Sequence, residues 1–278
     1  MTRRIDTLVE VASQYDAIVF DQWGVLHNGS TPYPGAIACL NTLKQSGQRL
    51  TVLSNSGKRA APNAARIADM GFAPTLFEFV MTSGEALWQE IAGGAVSERA
   101  FHPIERAPGD AAAWAGGLDI EFRETLEGAD AILLMGLPDG SKLDGWQTFL
   151  EQALQRALPV FCTNPDRSSP RADGLVISSG ALAFAYRDMG GKVRFYGKPH
   201  HPVYAALEQA LGANNLLMVG DSLEHDIAGA QTAGWDNLLI EGGLYAAAFA
   251  TSDAQTTLDA LVREKGCAPP TYRMDLLS

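Results

Sequence analysis

Four short stretches of this chain place carboxylates, small hydroxyls and one lysine close behind apolar runs. Asp21 follows the run 17–20. Ser54, Asn55 and Ser56 follow 49–53. Gly220-Asp221-Ser222 closes the run 216–219, with Asp226 five residues beyond Asp221. Lys198 stands before Pro199 in "FYGKPHHPVY". Each alone has an ordinary reading. Asp or Ser after a strand caps a helix, a single lysine is commonly a solvated surface residue, and Asp226 suits a helix N-terminus. Together they supply three carboxylates, a hydroxyl with an amide, and one cation. That set fits Mg²⁺ beside a phosphate: hard carboxylate oxygens for the ion, with Lys, Ser and Asn for the phosphoryl oxygens.

These residues need a scaffold that delivers them to one edge. The apolar runs 17–20, 49–53, 77–82, 131–136, 159–163, 174–179, 216–220 and 237–242 lack polar alternation. Such runs suit strands buried on both faces of a parallel sheet. Helical patterns lie between them, at 34–46, 61–71, 84–92, 144–157, 201–211 and 226–234. Repeated strand-then-helix units predict an α/β fold with right-handed crossovers. In an open sheet of that kind, ligands bind beyond the carboxyl ends of the strands. Residues 93–128 are rich in Ala, Gly and charge and break the rhythm, which resumes at 131. An inserted domain accounts for the break. The expected boundaries are a core of 1–92 and 188–278 and an insertion of 93–187.

Bulk properties narrow the function. The chain has 278 residues, 46% of them hydrophobic and 19% charged, which argues for a folded domain over disorder. The net charge is −11. So acidic a chain repels nucleic acid and anionic lipid, and any anionic substrate must be met locally. Cys39, Cys162 and Cys267 are odd in number and widely spaced, with no metal or disulfide pattern. Asp6, Glu10 and Asp16 interrupt the first apolar stretch. A cytoplasmic protein without a membrane partner is expected.

The chain resembles the haloacid dehalogenase (HAD) superfamily. The four motifs of that family stand in order: Asp21-Gln22-Trp23-Gly24-Val25-Leu26, Ser54-Asn55, Gly197-Lys198-Pro199, and Gly220-Asp221-Ser222 with Asp226. The stretches "TSGEAL" (82–87) and "TNPD" (163–166) are similar to the class IIA branch of nucleotide, pyridoxal phosphate and p-nitrophenyl phosphate phosphatases. The resemblance implies a Rossmann-like doubly wound parallel sheet core with an inserted α/β cap domain. It implies Asp21 as nucleophile, forming an aspartyl-phosphate. Ser54 and the Asn55 amide would hold the phosphoryl group, and Lys198 would neutralise charge. Asp221 and Asp226, with Asp21 and the Trp23 carbonyl, would hold Mg²⁺. Asn164, Asp166 and Arg167 are cap candidates for the small phosphorylated substrate, although Asn-Pro-Asp is also a good turn. A homodimer through the cap is implied as well. His200 and His201 are assigned no metal, and 102–117 carries no readable chemistry.

One position departs from the family. Two residues after the nucleophile, phosphatases of this superfamily normally carry a second aspartate, which protonates the leaving oxygen. Here it is Trp23, and an indole N–H does not titrate. Losing a general acid typically costs about 10²–10⁴-fold. His27 is the nearest titratable replacement. Three readings follow: a slow Mg²⁺ phosphatase, a metal-free dehalogenase-type hydrolase with an aromatic residue at this place, and a non-catalytic phosphate-binding protein. Asp221 and Asp226 speak against the second, because a metal-free site has no use for two more carboxylates.

Overall fold

The computed structural model describes residues 2–171, 174–251 and 253–278. Contacts divide the chain into two units. The first comprises Met1–Ser54, Ala61–Met81 and Tyr204–Ser278, and the second comprises Asn55–Ala60 and Thr82–Val203. The insertion expected from the sequence was 93–187.

A seven-stranded sheet forms the first unit, in the order Arg3–Arg4, Tyr272–Met274, Asp236–Ile240, Leu216–Gly220, Ala17–Phe20, Leu50–Ser54, Phe79–Thr82. Its central pairings are parallel. Val219 lies opposite Phe20, Phe20 opposite Val52, and Val219 opposite Leu238. Every position of Leu216–Gly220, Ala17–Phe20 and Leu50–Ser54 is buried, so no polar alternation survives in those runs. Ile18, Phe20, Leu50, Val52, Leu217 and Val219 join one core with Leu40 and Leu43 of the helix Ala36–Gln45.

The second unit has its own five-stranded parallel sheet, ordered Val193–Phe195, Val160–Cys162, Ala131–Leu134, Ala100–Ile104, Glu121–Phe122. Ile132, Leu134, Val160 and Cys162 pack with Leu150, Leu182 and Tyr186 in a separate core.

Two expectations need correction. The run 174–179 does not join a parallel sheet. Gly174–Ile177 pairs antiparallel with Ser168–Arg171 in a two-stranded ribbon, and Val176 is 40% exposed. Its partner lies close by in sequence, and an apolar triplet does not reveal which kind of partner it has. The stretch 93–128 is also more regular than expected. Ala100–Ile104 pairs on both sides within its sheet, although His102 and Pro103 interrupt its apolar run.

Candidate active site

Three neighbouring strands of the first unit end in polar residues. Asp221 follows Leu216–Gly220, Asp21 follows Ala17–Phe20, and Ser54 closes Leu50–Ser54. The parallel register brings these three ends to one edge, where an open α/β sheet binds ligands. Asp226 arrives by a different route. After Ser222 the chain makes a π-helical turn, Leu223–Ile227, with the Ser222 hydroxyl capping the N–H of His225 at 3.2 Å. Single π-turns recur at functional sites because they re-aim one side chain. Here the turn aims Asp226 back at the strand end.

Asp21, Asp221 and Asp226 each offer a carboxylate oxygen, and these atoms lie within 4.8 Å of one another. Asp221 and Asp226 are buried and Asp21 is half-buried. Part of their charge is met by backbone. Asp226 Oδ2 accepts the N–H groups of Asp221 (3.1 Å) and Ser222 (3.0 Å), and Asp221 Oδ2 accepts the N–H of Leu244 (2.8 Å). Three anions this close repel one another strongly in a partly dry setting and call for a cation among them. An all-oxygen donor set of carboxylates suits a hard divalent ion such as Mg²⁺.

Glycines make the cluster possible. Any Cβ at Gly24, where φ is +82°, would overlap the Asp221 carboxylate. One at Gly220 would overlap Asp226. One at Gly243 would stand 2.5 Å from Asp221 Oδ2 and 2.8 Å from the Gly24 carbonyl. Sequence reasoning passed over Gly243 and Leu244. The signal was available: Gly242-Gly243 follows directly on a buried strand, at the edge where the carboxylates gather.

Trp23 is 47% exposed, and its indole rests on Gly29. A Cβ there would lie 2.9 Å from Nε1 and 3.3 Å from Cε2 and Cζ2. His27, considered as a replacement proton donor, is wholly buried. Burial, with Arg66 adding to it, pushes its pKa down to about 4. Its Nδ1 accepts the N–H of Gly29 at 3.0 Å. A neutral, enclosed imidazole is a brace for the loop and cannot act as a donor to substrate. Beside it Arg66 donates to Gln22 Oε1 (2.8 Å), and the Gln22 amide donates to Asn63 Oδ1. Gln22 and Asn63 are buried, so this network ties the loop behind Asp21 to the helix Ala60–Asp69.

In the second unit, the Asn55 amide donates to Asp166 Oδ1 (2.7 Å) and to the Lys198 carbonyl (3.2 Å), and Asn55 Oδ1 accepts the Lys198 N–H (2.6 Å). Asn164 Oδ1 accepts the N–H of Asp166 at 2.8 Å, so the Asn-Pro-Asp turn holds itself. The peptide Lys198–Pro199 is cis, and Lys198 is 2% exposed. A Cβ at Gly197 would stand 2.7 Å from Asn55 Oδ1 and from Ser83 Oγ. Asn55, Asp166 and Lys198 therefore share one hydrogen-bonded cluster. Arg167 stands apart from it, its guanidinium stacked 3.9 Å over Phe184. His200 stacks on Phe195 at 4.5 Å between ring centroids.

The family model for haloacid dehalogenase-like hydrolases matches residues 18–106, and a second HAD-hydrolase-like model matches 195–263. The chain belongs to the haloacid dehalogenase-like hydrolases, in their class IIA branch. It is 29% identical over 244 residues to a D-glycerol 3-phosphate phosphatase of Mycobacterium tuberculosis, covering 85% of this chain and 66% of that enzyme. The crystal structure of a haloacid dehalogenase-like hydrolase from Brucella suis 1330 superposes with a TM-score of 0.80, at 29% identity, over 99% of this chain and all of the other. A glycerol phosphate phosphatase from M. tuberculosis, solved with magnesium, shares the fold with a TM-score of 0.72 at 22% identity, over 96% of this chain and 77% of that one. Among the described residues, no helix is long and apolar enough to cross a membrane.

Proposed function

We propose that this hydrolase is a Mg²⁺-dependent phosphoric monoester hydrolase that works through an aspartyl-phosphate on a small phosphorylated metabolite. The convergence of Asp21, Asp221 and Asp226 carries the reading. The mycobacterial phosphatase it resembles, and the related structure solved with magnesium, support it. Asp221 and Asp226, with Asp21 and the Trp23 carbonyl, would hold the ion. Bound there, magnesium would lower the negative charge shared by Asp21 and the phosphoryl oxygens.

The chain's own residues define the rest. An Asp21 oxygen attacks phosphorus, the ester P–O bond breaks, and the alcohol oxygen leaves with the bonding electrons. Water then attacks the acyl phosphate, the P–O bond to Asp21 breaks, and phosphate departs with the carboxylate restored. Splitting hydrolysis into two displacements makes each easier. Ser54, the Asn55 backbone N–H and Lys198 steady the phosphoryl oxygens. Nothing at position 23 protonates the leaving oxygen, so the first displacement depends on how well that oxygen departs as an anion. Water is likewise not activated from position 23, so the covalent intermediate is long-lived. Three free thiols suit a reducing cytoplasm.

The test is p-nitrophenyl phosphate hydrolysis with and without Mg²⁺, followed by rates across esters of graded leaving-group acidity. Metal-dependent turnover with a steep dependence is expected. Turnover that ignores metal returns the dehalogenase-type reading. No turnover favours the phosphate-binding reading, to which Trp23 gives its one specific support. A monomer by light scattering would dispose of pairing through the inserted unit.

A further inference from the structure

Single exposed apolar side chains are ordinary, but exposed ones that lie together mark contact sites. Among the described residues six large apolar side chains are exposed, and two of them, Trp23 at 47% and Leu244 at 61%, belong to residues next to the glycines that abut Asp221. They are joined through their chain neighbours. Gly24, next to Trp23, and Gly243, next to Leu244, approach so closely that a Cβ on Gly243 would lie 2.8 Å from the Gly24 carbonyl, and both glycines abut Asp221. Each side chain is fixed at its root. The indole is seated on Gly29, and the Leu244 N–H is bonded to Asp221 Oδ2 at 2.8 Å. A hydrophilic alcohol such as glycerol would gain nothing from such a border.

We infer that Trp23 and Leu244 form an apolar rim that binds the leaving group, so that the substrates are phosphate esters of aromatic or otherwise apolar alcohols. This rests on the phosphatase reading and adds a binding preference to it. Position 23 then acts twice. It withholds a proton from the leaving oxygen, and it presents a flat ring to an aryl group, whose oxygen departs without one.

Non-hydrolysable phosphonates separate binding from turnover. In the Mg²⁺-loaded full chain, benzylphosphonate is expected to bind about tenfold more tightly than methylphosphonate, the return on burying one ring edge. In Leu244→Ser that ratio should fall to about twofold, and Leu244→Met should restore most of it. Leu244 is exposed, so the serine variant is not expected to unfold. Hydrolysis of p-nitrophenyl phosphate, with equal binding of the two phosphonates, would overturn the rim and leave the phosphatase reading standing. A tenfold ratio sensitive to Leu244→Ser, without turnover of any ester, would sink the phosphatase reading and keep the rim. A wild-type dimer that Leu244→Ser converts to monomer, with the ratio unchanged, assigns the two side chains to a second copy of this chain and overturns the proposal.

Discussion

Asp221 and Asn55 each follow a buried strand, yet they inhabit opposite kinds of polar cluster. Asp221 stands with Asp21 and Asp226, three acceptors of like charge within 4.8 Å, and backbone N–H groups bond to Asp221 and Asp226. Asn55 is donor and acceptor at once, and it spends both on Lys198 and Asp166. The first cluster gathers like charge, which a cation would relieve, while the second matches donors to acceptors. Gathered like charge marks where a cation belongs. A hydrogen-bonded cluster marks where geometry is held ready for one.

Changes in the charged cluster should therefore show in turnover and metal response, and changes in the Asn55 cluster should show in stability too. The largest effect is expected from Asp21→Asn. Losing a nucleophile that acts with its partners as a unit costs about 10⁴-fold or more. The melting temperature should hold or rise, because one of three crowded charges is gone. Normal turnover in this variant would falsify the nucleophile assignment.

Next in size is Trp23→Asp. A carboxyl at this place should raise hydrolysis of alkyl phosphates by about 10²–10⁴-fold, the usual worth of a general acid. The slope of rate against leaving-group acidity should flatten at the same time. If both slopes match, some other group already donates the proton, and His27 is not that group, given its burial.

A middle-sized effect concerns metal and folding. Mg²⁺ at about a hundred times its dissociation constant stabilises by about 2.7 kcal/mol, or a melting shift of about 5 °C for a chain of this length. Asp221→Ala should abolish that shift, and so should Gly24→Ala, whose Cβ would displace the same carboxylate. Identical melting with and without millimolar Mg²⁺ in the wild type would show that the three carboxylates do not form a metal site. Asn55→Ala comes after. It removes the Asn55 bonds to the Lys198 N–H and the Asp166 carboxylate, at a cost of about 1–3 kcal/mol, and its Mg²⁺ response should stay intact. A variant that keeps its stability but loses the metal shift would erase the distinction between the two clusters.

The sequence showed part of this plainly. Asp21, Asp221 and Ser54 were readable because the strands before them are buried on both faces, so each change from apolar to polar residues marks a strand end. Asp226 was less visible from periodicity, since a π-turn has no helical pattern of its own. The helices Ser179–Asp188 and Ala254–Lys265 were overlooked. The first follows an apolar triplet that read as one longer strand, and its alanine-rich face contrasts little with its surroundings. The strand Tyr272–Met274 escaped because three residues are too few to show a period. Leu244 was invisible as a site residue because its contribution to Asp221 is a backbone N–H, which any residue type supplies.

His27 gives the smallest and most specific prediction. Its folded pKa is lowered to about 4 from an ordinary 6.5, chiefly by desolvation and then by the charge of Arg66. The folded loop therefore holds it neutral, with Nδ1 accepting from Gly29. At and above neutral pH it is neutral in both states and contributes no pH dependence. As pH falls below about 6.5 the unfolded chain takes up a proton that the folded chain refuses, so stability drops. The loss continues until the folded group itself protonates, near pH 4. Each pH unit inside that window costs at most about 1.4 kcal/mol, so falling from pH 6.5 to 5 should remove about 1–2 kcal/mol. His27→Asn lacks the titration. It should be less stable than wild type at pH 7.5, because the Gly29 N–H and the packing around the ring are disturbed, but its stability should fall less steeply between pH 6.5 and 5. The measurement is the difference in denaturant midpoint between wild type and variant across that range. Parallel curves would mean that His27 is as easily protonated folded as unfolded, and the loop carrying Trp23 would then be wetter and looser than its packing on Gly29 implies.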